Sequence, residues 1–127
     1  MDKNLFQKVE EYIKNNNVVF LIGNLGSGKT HFFKNFMEYI GCNETINSPT
    51  FSIKKEYVVN DLHISHYDLY RDADKSLVKS LVSDDILEGK ILFIEWPSNL
   101  KSLKKIKRLE IHISEKNNER IYRLLEK

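Results

Sequence analysis

A glycine-rich segment that ends in lysine and threonine carries the clearest chemical signal in the sequence. Residues 23–30, Gly-Asn-Leu-Gly-Ser-Gly-Lys-Thr, fit the phosphate-loop pattern G-x-x-x-x-G-K-[ST] at every constrained position. Glycines let the backbone approach a triphosphate closely and adopt positive φ angles, so that N–H groups can wrap the anion. The Lys29 ammonium would reach the β and γ phosphates, and the Thr30 hydroxyl could ligate Mg²⁺. The predicted nucleotide-binding residues of this segment are Gly23, Asn24, Leu25, Gly26, Ser27, Gly28, Lys29, Thr30 and His31.

Apolar patterning predicts the elements on either side of this phosphate loop (residues 23–30). Residues 18–22, Val-Val-Phe-Leu-Ile, are typical of a strand buried on both faces of a parallel sheet. After the loop, apolar residues recur at helical spacing as far as Gly41, which predicts a helix whose N-terminal partial positive charge faces the anion. Residues 2–16 have an amphipathic pattern and predict a further helix ahead of the strand.

An acidic residue at the end of a second apolar strand is the main candidate for the metal side of the site. Residues 91–94, Ile-Leu-Phe-Ile, predict a buried strand, and Glu95 follows directly. A buried carboxylate is costly to keep ionised unless it has such a role. Glu95 is therefore expected to approach Mg²⁺ through water or to orient the attacking water. Trp96 would either pack beside the nucleotide or close the core, and core packing is the commoner role of tryptophan.

A second acidic candidate lies at the end of a predicted β-hairpin. Residues 51–59 and 62–68 predict its two arms, joined by an Asn-Asp turn. Asp68 ends the second arm and Arg71 follows it, at the edge where open α/β sheets bind ligands. Asp68 could hold Mg²⁺ or a metal-bound water, and Arg71 could pair with phosphate or a carboxylate. Alternatively, Asp68 caps the next segment and Arg71 forms a surface ion pair.

Two more polar features flank this hairpin. Ser48-Pro49-Thr50 places hydroxyl groups at a bend ahead of the first arm. This pattern suits either a nucleotide-sensing segment, with Thr50 or Ser48 near the γ-phosphate, or an ordinary turn. His66 is predicted to be a strand residue rather than a ligand, because no second metal-type residue lies at suitable spacing.

The rest of the chain predicts elements that complete the sheet. Residues 74–82 predict a short helix, and residues 84–89 predict a separate turn. Residues 109–125 alternate around an Asn-rich turn and predict a terminal hairpin. Arg120 and Arg123 lie on its return arm, where each would be a solvated surface residue unless one stacks on a nucleotide base.

Length and composition predict a single soluble domain. The chain has 127 residues, 41% hydrophobic and 30% charged, which suits one compact domain over residues 1–127. Its apolar runs are too short for a membrane span, and the lone Cys42 excludes an internal disulfide, so we expect a cytoplasmic protein. A net charge of +2 is too small to imply nucleic-acid binding by itself, and the basic residues 101–108 are interpreted as a solvated loop.

Four blocks of sequence together resemble the TsaE (YjeE) family. They are the phosphate loop, Ser48-Pro49-Thr50-Phe51, residues 66–71 (His-Tyr-Asp-Leu-Tyr-Arg) and Glu95-Trp96-Pro97. The resemblance implies a P-loop NTPase-like α/β fold, a three-layer sandwich with a mixed β-sheet flanked by helices. It also implies ATP and Mg²⁺ as cofactors, and slow ATP hydrolysis in a complex with TsaD-like and TsaB-like proteins. That complex forms N6-threonylcarbamoyladenosine at position 37 of tRNAs reading ANN codons, so tRNA would be met through the complex, with no membrane involved.

The same resemblance assigns roles residue by residue. It implies catalytic roles for Lys29, Asp68 and Glu95, a metal site at Thr30, Glu95 and Asp68, a switch-like segment at Thr50 and a nucleotide contact at Arg120. Strand position nominates Glu95 as the main metal-side acid, whereas the family pattern also gives Asp68 an essential role, so both remain candidates. Asn24 departs from the family, which usually has Glu or Asp there.

Two other functions could begin from the same phosphate loop. A small-molecule or nucleoside kinase would need an acceptor pocket and a mobile lid with arginines, for which little chain remains after the sheet. A non-enzymatic docking module would use ATP only to order residues 48–51 for a partner. A GTPase is disfavoured because the sequence has no N-K-x-D segment to recognise guanine.

Overall fold

One mixed β-sheet with helices on both faces forms the fold. The computed structural model describes residues 3–24, 26–49, 53–70 and 74–127. The helices are α1 (Lys3–Ile13), α2 (Lys29–Tyr39) and α3 (Lys75–Leu87), with two short 3-10 segments at Pro97–Asn99 and Lys101–Lys105. The strands are β1 (Val18–Ile22), β2 (Lys54–Val59), β3 (Leu62–Asp68), β4 (Ile91–Glu95), β5 (Leu109–Lys116) and β6 (Glu119–Glu126). Over these described ranges, every helix is too short or too polar to cross a membrane.

The strand order brings the ends of three predicted elements to one edge. The sheet follows the order β2-β3-β4-β1-β5-β6. Its central strands β3, β4, β1 and β5 are parallel, and β2 and β6 pair antiparallel at the edges. In this register Glu95 lies between Asp68 on β3 and Leu21 on β1. The carboxyl ends of β1, β3 and β4 therefore meet where the phosphate loop begins, and the predicted α/β class with a mixed sheet between helical layers is confirmed.

Two apolar layers explain the unbroken hydrophobic run of β1. Val19 and Leu21 pack towards α1 and α2, whereas Val18 and Phe20 pack towards α3 and the 3-10 segments. Because both faces of this strand are covered, no polar alternation is tolerated. On α2 itself, the largest fully buried side chains are Phe32, Phe33, Phe36 and Met37.

Both predicted hairpins are present, and their turns have the expected backbone. Asn60 and Asp61 join β2 to β3 with φ angles of 48° and 68°. Asn117 and Asn118 join β5 to β6 with φ angles of 53° and 64°. Two consecutive positive φ angles match the twist of the flanking strands, and Asn and Asp tolerate them better than most residues.

The helix after the first hairpin differs from the sequence prediction. A short helix over 74–82 and a separate turn over 84–89 are expected, whereas one continuous helix, α3, runs through both segments. Asp74 caps its start, because Asp74 Oδ1 accepts hydrogen bonds from two backbone N–H groups of the first turn at 2.9 and 3.2 Å. Near the other end, the buried Asp85 accepts a hydrogen bond from the Tyr67 hydroxyl of β3. This tertiary contact anchors the helix in the segment where the sequence pattern predicts a break.

The ionisation of Asp85 contributes to stability. Its side chain is 2% exposed and lies 3.2 Å from Lys54 Nζ. Burial alone would raise the pKa of Asp85, but hydrogen bonds from Tyr67 and Lys54 outweigh burial and hold the pKa below its ordinary value. A carboxyl whose pKa is lower in the folded chain stabilises the fold above its unfolded pKa, and this contribution is lost as the pH falls through the folded pKa.

We expect Asp85→Asn to lower the free energy of unfolding at pH 7 by about 1–3 kcal/mol. The difference from wild type should shrink as the pH falls below about 4, the ordinary pKa of an aspartate, towards the lower pKa of Asp85 in the folded chain. Urea unfolding of both proteins at pH 7 and pH 3 measures it. Asp61→Asn, at the exposed β2–β3 turn, is the matched control and should change stability little. An equal deficit at both pH values would show that Asp85 acts by packing rather than by charge.

Candidate active site

The phosphate loop connects β1 to α2 and depends on its glycines. A Cβ atom at Gly23 would lie 2.4 Å from Ser27 Oγ and 2.6 Å from the Ile113 carbonyl oxygen, so a side chain has no room there. Gly28 has a φ angle of 103°, in the left-handed region, and immediately precedes α2. The loop is therefore compact at its start and turns sharply at its end, which directs the first helical N–H groups towards the cavity above it.

Gly23→Ala should displace the start of this loop. The clash involves the Ile113 backbone, which cannot move as freely as a side chain, so we expect a loss of about 1–3 kcal/mol in the free energy of unfolding together with weaker ATP binding. Thermal unfolding and fluorescent ATP-analogue binding measure the two effects. Gly89→Ala is the control, because its φ of 78° is strained for alanine but its surroundings are open. Gly89→Ala should lower stability and leave ATP affinity unchanged; equal ATP affinity in Gly23→Ala would contradict the role of this loop.

Lys29 is held inside the site rather than extended into solvent. Its side chain donates hydrogen bonds from Nζ to the carbonyl oxygens of Gly23 at 2.8 Å and Asn24 at 3.0 Å. The ammonium lies 4.2 Å from the centre of the Trp96 ring, within cation–π distance. Burial lowers the pKa of Lys29, and the Glu95 and Asp68 carboxylates oppose that shift. The positive charge is thus desolvated and surrounded by acceptors that an anion could replace.

A chain of hydrogen bonds connects the loop to the end of β4. Thr30 Oγ1 donates to Glu95 Oε2 at 2.8 Å, and the hydroxyl groups of Ser48 and Thr30 lie 3.0 Å apart. His66 Nε2 lies 2.6 Å from the same Glu95 Oε2. The single hydroxyl proton of Thr30 is donated in the hydrogen bond to Glu95. The oxygen lone pairs of Thr30 therefore remain available to accept a hydrogen bond from Ser48 and to face the cavity.

Asp68 and Glu95 form a pair of acids in different environments. They occupy opposed positions on neighbouring parallel strands, and Glu95 is 3% exposed whereas Asp68 is half-buried. Burial raises the pKa of Asp68, and the Glu95 carboxylate raises it further, while the Tyr70 backbone N–H, 3.0 Å from Oδ1, opposes the shift. The site therefore concentrates negative charge opposite the Lys29 ammonium, an arrangement suited to binding a cation together with an anion.

These groups enclose a small polar cavity. Its volume is about 200 Å³. This is below the roughly 300–1,000 Å³ of sites that enclose a whole small molecule, so it suits the phosphate and metal end of a nucleotide. A groove of about 720 Å³ between α1 and the β5–β6 hairpin is larger but lies away from the phosphate loop. The small cavity is lined by Gly26, Gly28, Lys29, Thr30, Ser48, Asp68, Tyr70, Glu95 and Trp96.

Comparison with known proteins decides the family. The family model described as "Threonylcarbamoyl adenosine biosynthesis protein TsaE" matches residues 2–123. The chain belongs to the TsaE family. Curated proteins called "tRNA threonylcarbamoyladenosine biosynthesis protein TsaE" are similar to it: that of Rickettsia conorii is 33% identical over 91% of this chain and 67% of its own length. That of Bacillus subtilis is 38% identical over 80% of this chain and 64% of its own length.

A solved structure supports the same fold. The crystal structure of Bacillus subtilis YdiB superposes with a TM-score of 0.66 at 26% identity, over 94% of this chain and 77% of YdiB. The chain spans about two thirds of the length of the first curated TsaE relatives. The resemblance predicted from the four sequence blocks is confirmed, and so is the P-loop fold.

Within this TsaE chain, the sequence-predicted site residues are distributed unevenly around the cavity. Lys29, Thr30, Asp68 and Glu95 come together, whereas Asn24 and His31 are exposed. Ser27 is buried beneath Gly23. The predictions for Leu25, Thr50 and Arg71 lie outside the described residues and stay predictions.

Arg120 reaches the phosphate loop from the far edge of the sheet. It lies on β6, yet a Cβ atom at Gly28 would be 2.8 Å from Arg120 Nε. The structure therefore places the guanidinium beside the loop. The nucleotide contact that the family resemblance implies for Arg120 stays a prediction. Arg123, two residues further along, lies beside a separate cavity with Asn24 and His112.

Trp96 and His66 have closer ties to the site than the sequence shows. Trp96 packs partly against the α3 layer, and its ring centre also lies 4.2 Å from the Lys29 ammonium. The alternative that Trp96 packs beside the nucleotide stays a prediction. His66 is a buried strand residue, as predicted, but its hydrogen bond to Glu95 is missed by sequence reasoning. The available signal is alternation along β3, which places His66 on the same face as Asp68.

The oxygen donors fit magnesium better than a softer metal. Thr30, Asp68 and Glu95 offer a hydroxyl and two carboxylates, which are hard ligands. Among the residues that the structure describes, no group of three or more His, Cys, Asp and Glu side chains could enclose a metal. This donor set suits an ion that brings phosphate oxygens and water as its remaining ligands, as Mg²⁺ does in nucleotide sites.

Proposed function

We propose that this TsaE chain binds ATP with Mg²⁺ and hydrolyses ATP slowly to ADP and phosphate. The observation that carries this proposal is the hydrogen bond from Thr30 to Glu95 beside the buried Lys29 ammonium. A phosphate-loop hydroxyl and a strand-end acid in contact form the magnesium side of many nucleotide sites. The ammonium opposite them supplies the charge that phosphates need.

The chain's own residues suggest how the reaction would be supported. Lys29 would exchange its carbonyl partners for β and γ phosphate oxygens. Thr30 would direct a lone pair to Mg²⁺ while its hydroxyl continues to donate a hydrogen bond to Glu95. Glu95 and Asp68, at the same edge, are the two groups that can orient the attacking water. Bound Mg²⁺ would supply charge neutralisation at the phosphates.

The proposed setting is the assembly implied by the family. Its members and relatives are named for threonylcarbamoyladenosine biosynthesis. We therefore propose that the chain acts in the cytoplasm with TsaD-like and TsaB-like proteins, in the complex that forms N6-threonylcarbamoyladenosine at position 37 of tRNAs reading ANN codons. In that role ATP hydrolysis drives turnover of the complex, and the partner proteins bring the chain together with tRNA.

Phosphate release with and without those partners tests the proposal. Purified chain incubated with ATP and Mg²⁺ should release phosphate slowly, and the partners should change the rate. Adding a panel of nucleosides should give no phosphorylated acceptor, because the cavity lined by Lys29, Thr30 and Glu95 is only about 200 Å³ in volume. A phosphorylated nucleoside would favour a kinase, and ATP binding without hydrolysis under any condition would favour a docking module.

A further inference from the structure

We propose that His66 is a positioning residue that fixes the Glu95 carboxylate for metal-bound nucleotide without touching the ligand itself. This inference rests on the proposed function. Its geometric basis is the 2.6 Å contact between His66 Nε2 and Glu95 Oε2. The His66 side chain has 0% relative exposure, so it acts from within the core, behind the carboxylate that faces the cavity.

The core fixes the plane of the imidazole ring. His66 stacks on Phe33 of α2 with ring centres 4.2 Å apart and planes inclined by 24°. In the β3–β4 ladder His66 pairs with Phe93, so Glu95 lies two residues further along the neighbouring strand on the same face. The ring therefore has little freedom to rotate, and its Nε2 is directed at the carboxylate.

The hydrogen-bonding partners define which nitrogen of His66 carries the proton. An ionised carboxylate can only accept, so Nε2–H donates to Glu95. His66 Nδ1 is buried, and within the described part of the chain it has no hydrogen-bond partner. His66 therefore bonds to Glu95 as a donor through Nε2.

Two donors then hold one oxygen of Glu95 in place. His66 Nε2–H and Thr30 Oγ1–H both bond to Oε2. No hydrogen bond from another described residue reaches Oε1, so that oxygen is the one available to the metal or its water ligands. Removing the His66 donor would let the carboxylate rotate. Loss of such a supporting hydrogen bond typically costs 10- to 100-fold in metal affinity or activity, an order-of-magnitude range.

A matched pair of variants tests this role. In His66→Gln the side-chain amide nitrogen can take the place of Nε2, whereas in His66→Asn the amide ends near Nδ1 and cannot reach Glu95. Both residues are neutral and polar, so a general packing defect would affect both. Mn²⁺ affinity in the presence of ATP, measured by electron paramagnetic resonance, is the main readout. ATP-analogue affinity in EDTA and the thermal unfolding temperature are measured alongside.

We expect His66→Asn to weaken Mn²⁺ binding by about 10- to 100-fold, with ATP affinity in EDTA unchanged. His66→Gln should retain most of the wild-type Mn²⁺ affinity. Equal Mn²⁺ affinity in the two folded variants would overturn the inference. Failure of the wild type to bind ATP and Mn²⁺ would instead refute the proposed function, so the two failures are distinguishable.

The wild-type protein offers a second test that does not depend on the variants folding. Nitrogen-15 NMR of the imidazole should show a proton on His66 Nε2, the nitrogen that donates to Glu95, and the Nε2 resonance should shift when Mg²⁺ is added to the ATP-bound protein. Absence of a proton on Nε2, or no response of Nε2 to Mg²⁺, would contradict the positioning role.

Discussion

Lys29→Ala should weaken ATP binding by about 10- to 100-fold, because hydrogen bonds to charged groups contribute about 1.5–3 kcal/mol. The ammonium is buried at the mouth of the phosphate loop and is bonded only to carbonyl oxygens of that loop in the described residues. Phosphate oxygens are stronger partners for it than neutral carbonyls. Isothermal titration calorimetry with ATP and Mg²⁺ measures the loss directly.

Thermal stability separates this effect from unfolding. Burial lowers the pKa of Lys29, which means that the fold bears a cost for keeping the ammonium charged. Lys29→Ala should therefore fold with little loss of unfolding temperature. Lys34→Ala removes an exposed lysine from the same helix and should bind ATP like the wild type. Wild-type affinity in Lys29→Ala would show that the phosphates bind elsewhere.

Glu95→Gln should keep ATP binding and lose hydrolysis by about 10²- to 10⁴-fold, the usual contribution of a positioned acid–base group. The amide preserves the shape of the side chain and can still accept the Thr30 hydrogen bond. It lacks the negative charge that would attract Mg²⁺ and orient the attacking water. Single-turnover phosphate release with the partner proteins present, together with ATP affinity, measures the two effects separately.

Two other acidic residues provide the control variant and the alternative catalytic residue for this experiment. Glu38→Gln, exposed on α2, should leave turnover unchanged. If Glu95→Gln retains full turnover, the catalytic role passes to Asp68, whose carboxyl lies at the same edge of the sheet. Asp68→Asn measured in the same assay would then show the loss that is expected here for Glu95.

Features that depend on neighbours along the chain could be predicted from the sequence. The backbone of the phosphate loop depends on two glycines: Gly23, where a side chain has no room, and Gly28, which has a positive φ angle. The two hairpin turns are set by Asn and Asp residues that tolerate positive φ. The strand β1 is set by its unbroken apolar run. These local constraints, with the four motif blocks, also sufficed to predict the P-loop fold and the TsaE family.

Contacts between distant residues were decided only by the tertiary structure. The bond between His66 and Glu95, the place of Trp96 over Lys29, and the approach of Arg120 to Gly28 all depend on how separate elements pack. The continuous α3 likewise depends on Asp85 meeting Tyr67 across the core. A local pattern fixes which face a side chain occupies, but strand order and register fix its partner, because they come from burial over the whole sheet. The sequence therefore determined the chemistry of the phosphate loop, and the fold determined how the surrounding acids are held around it.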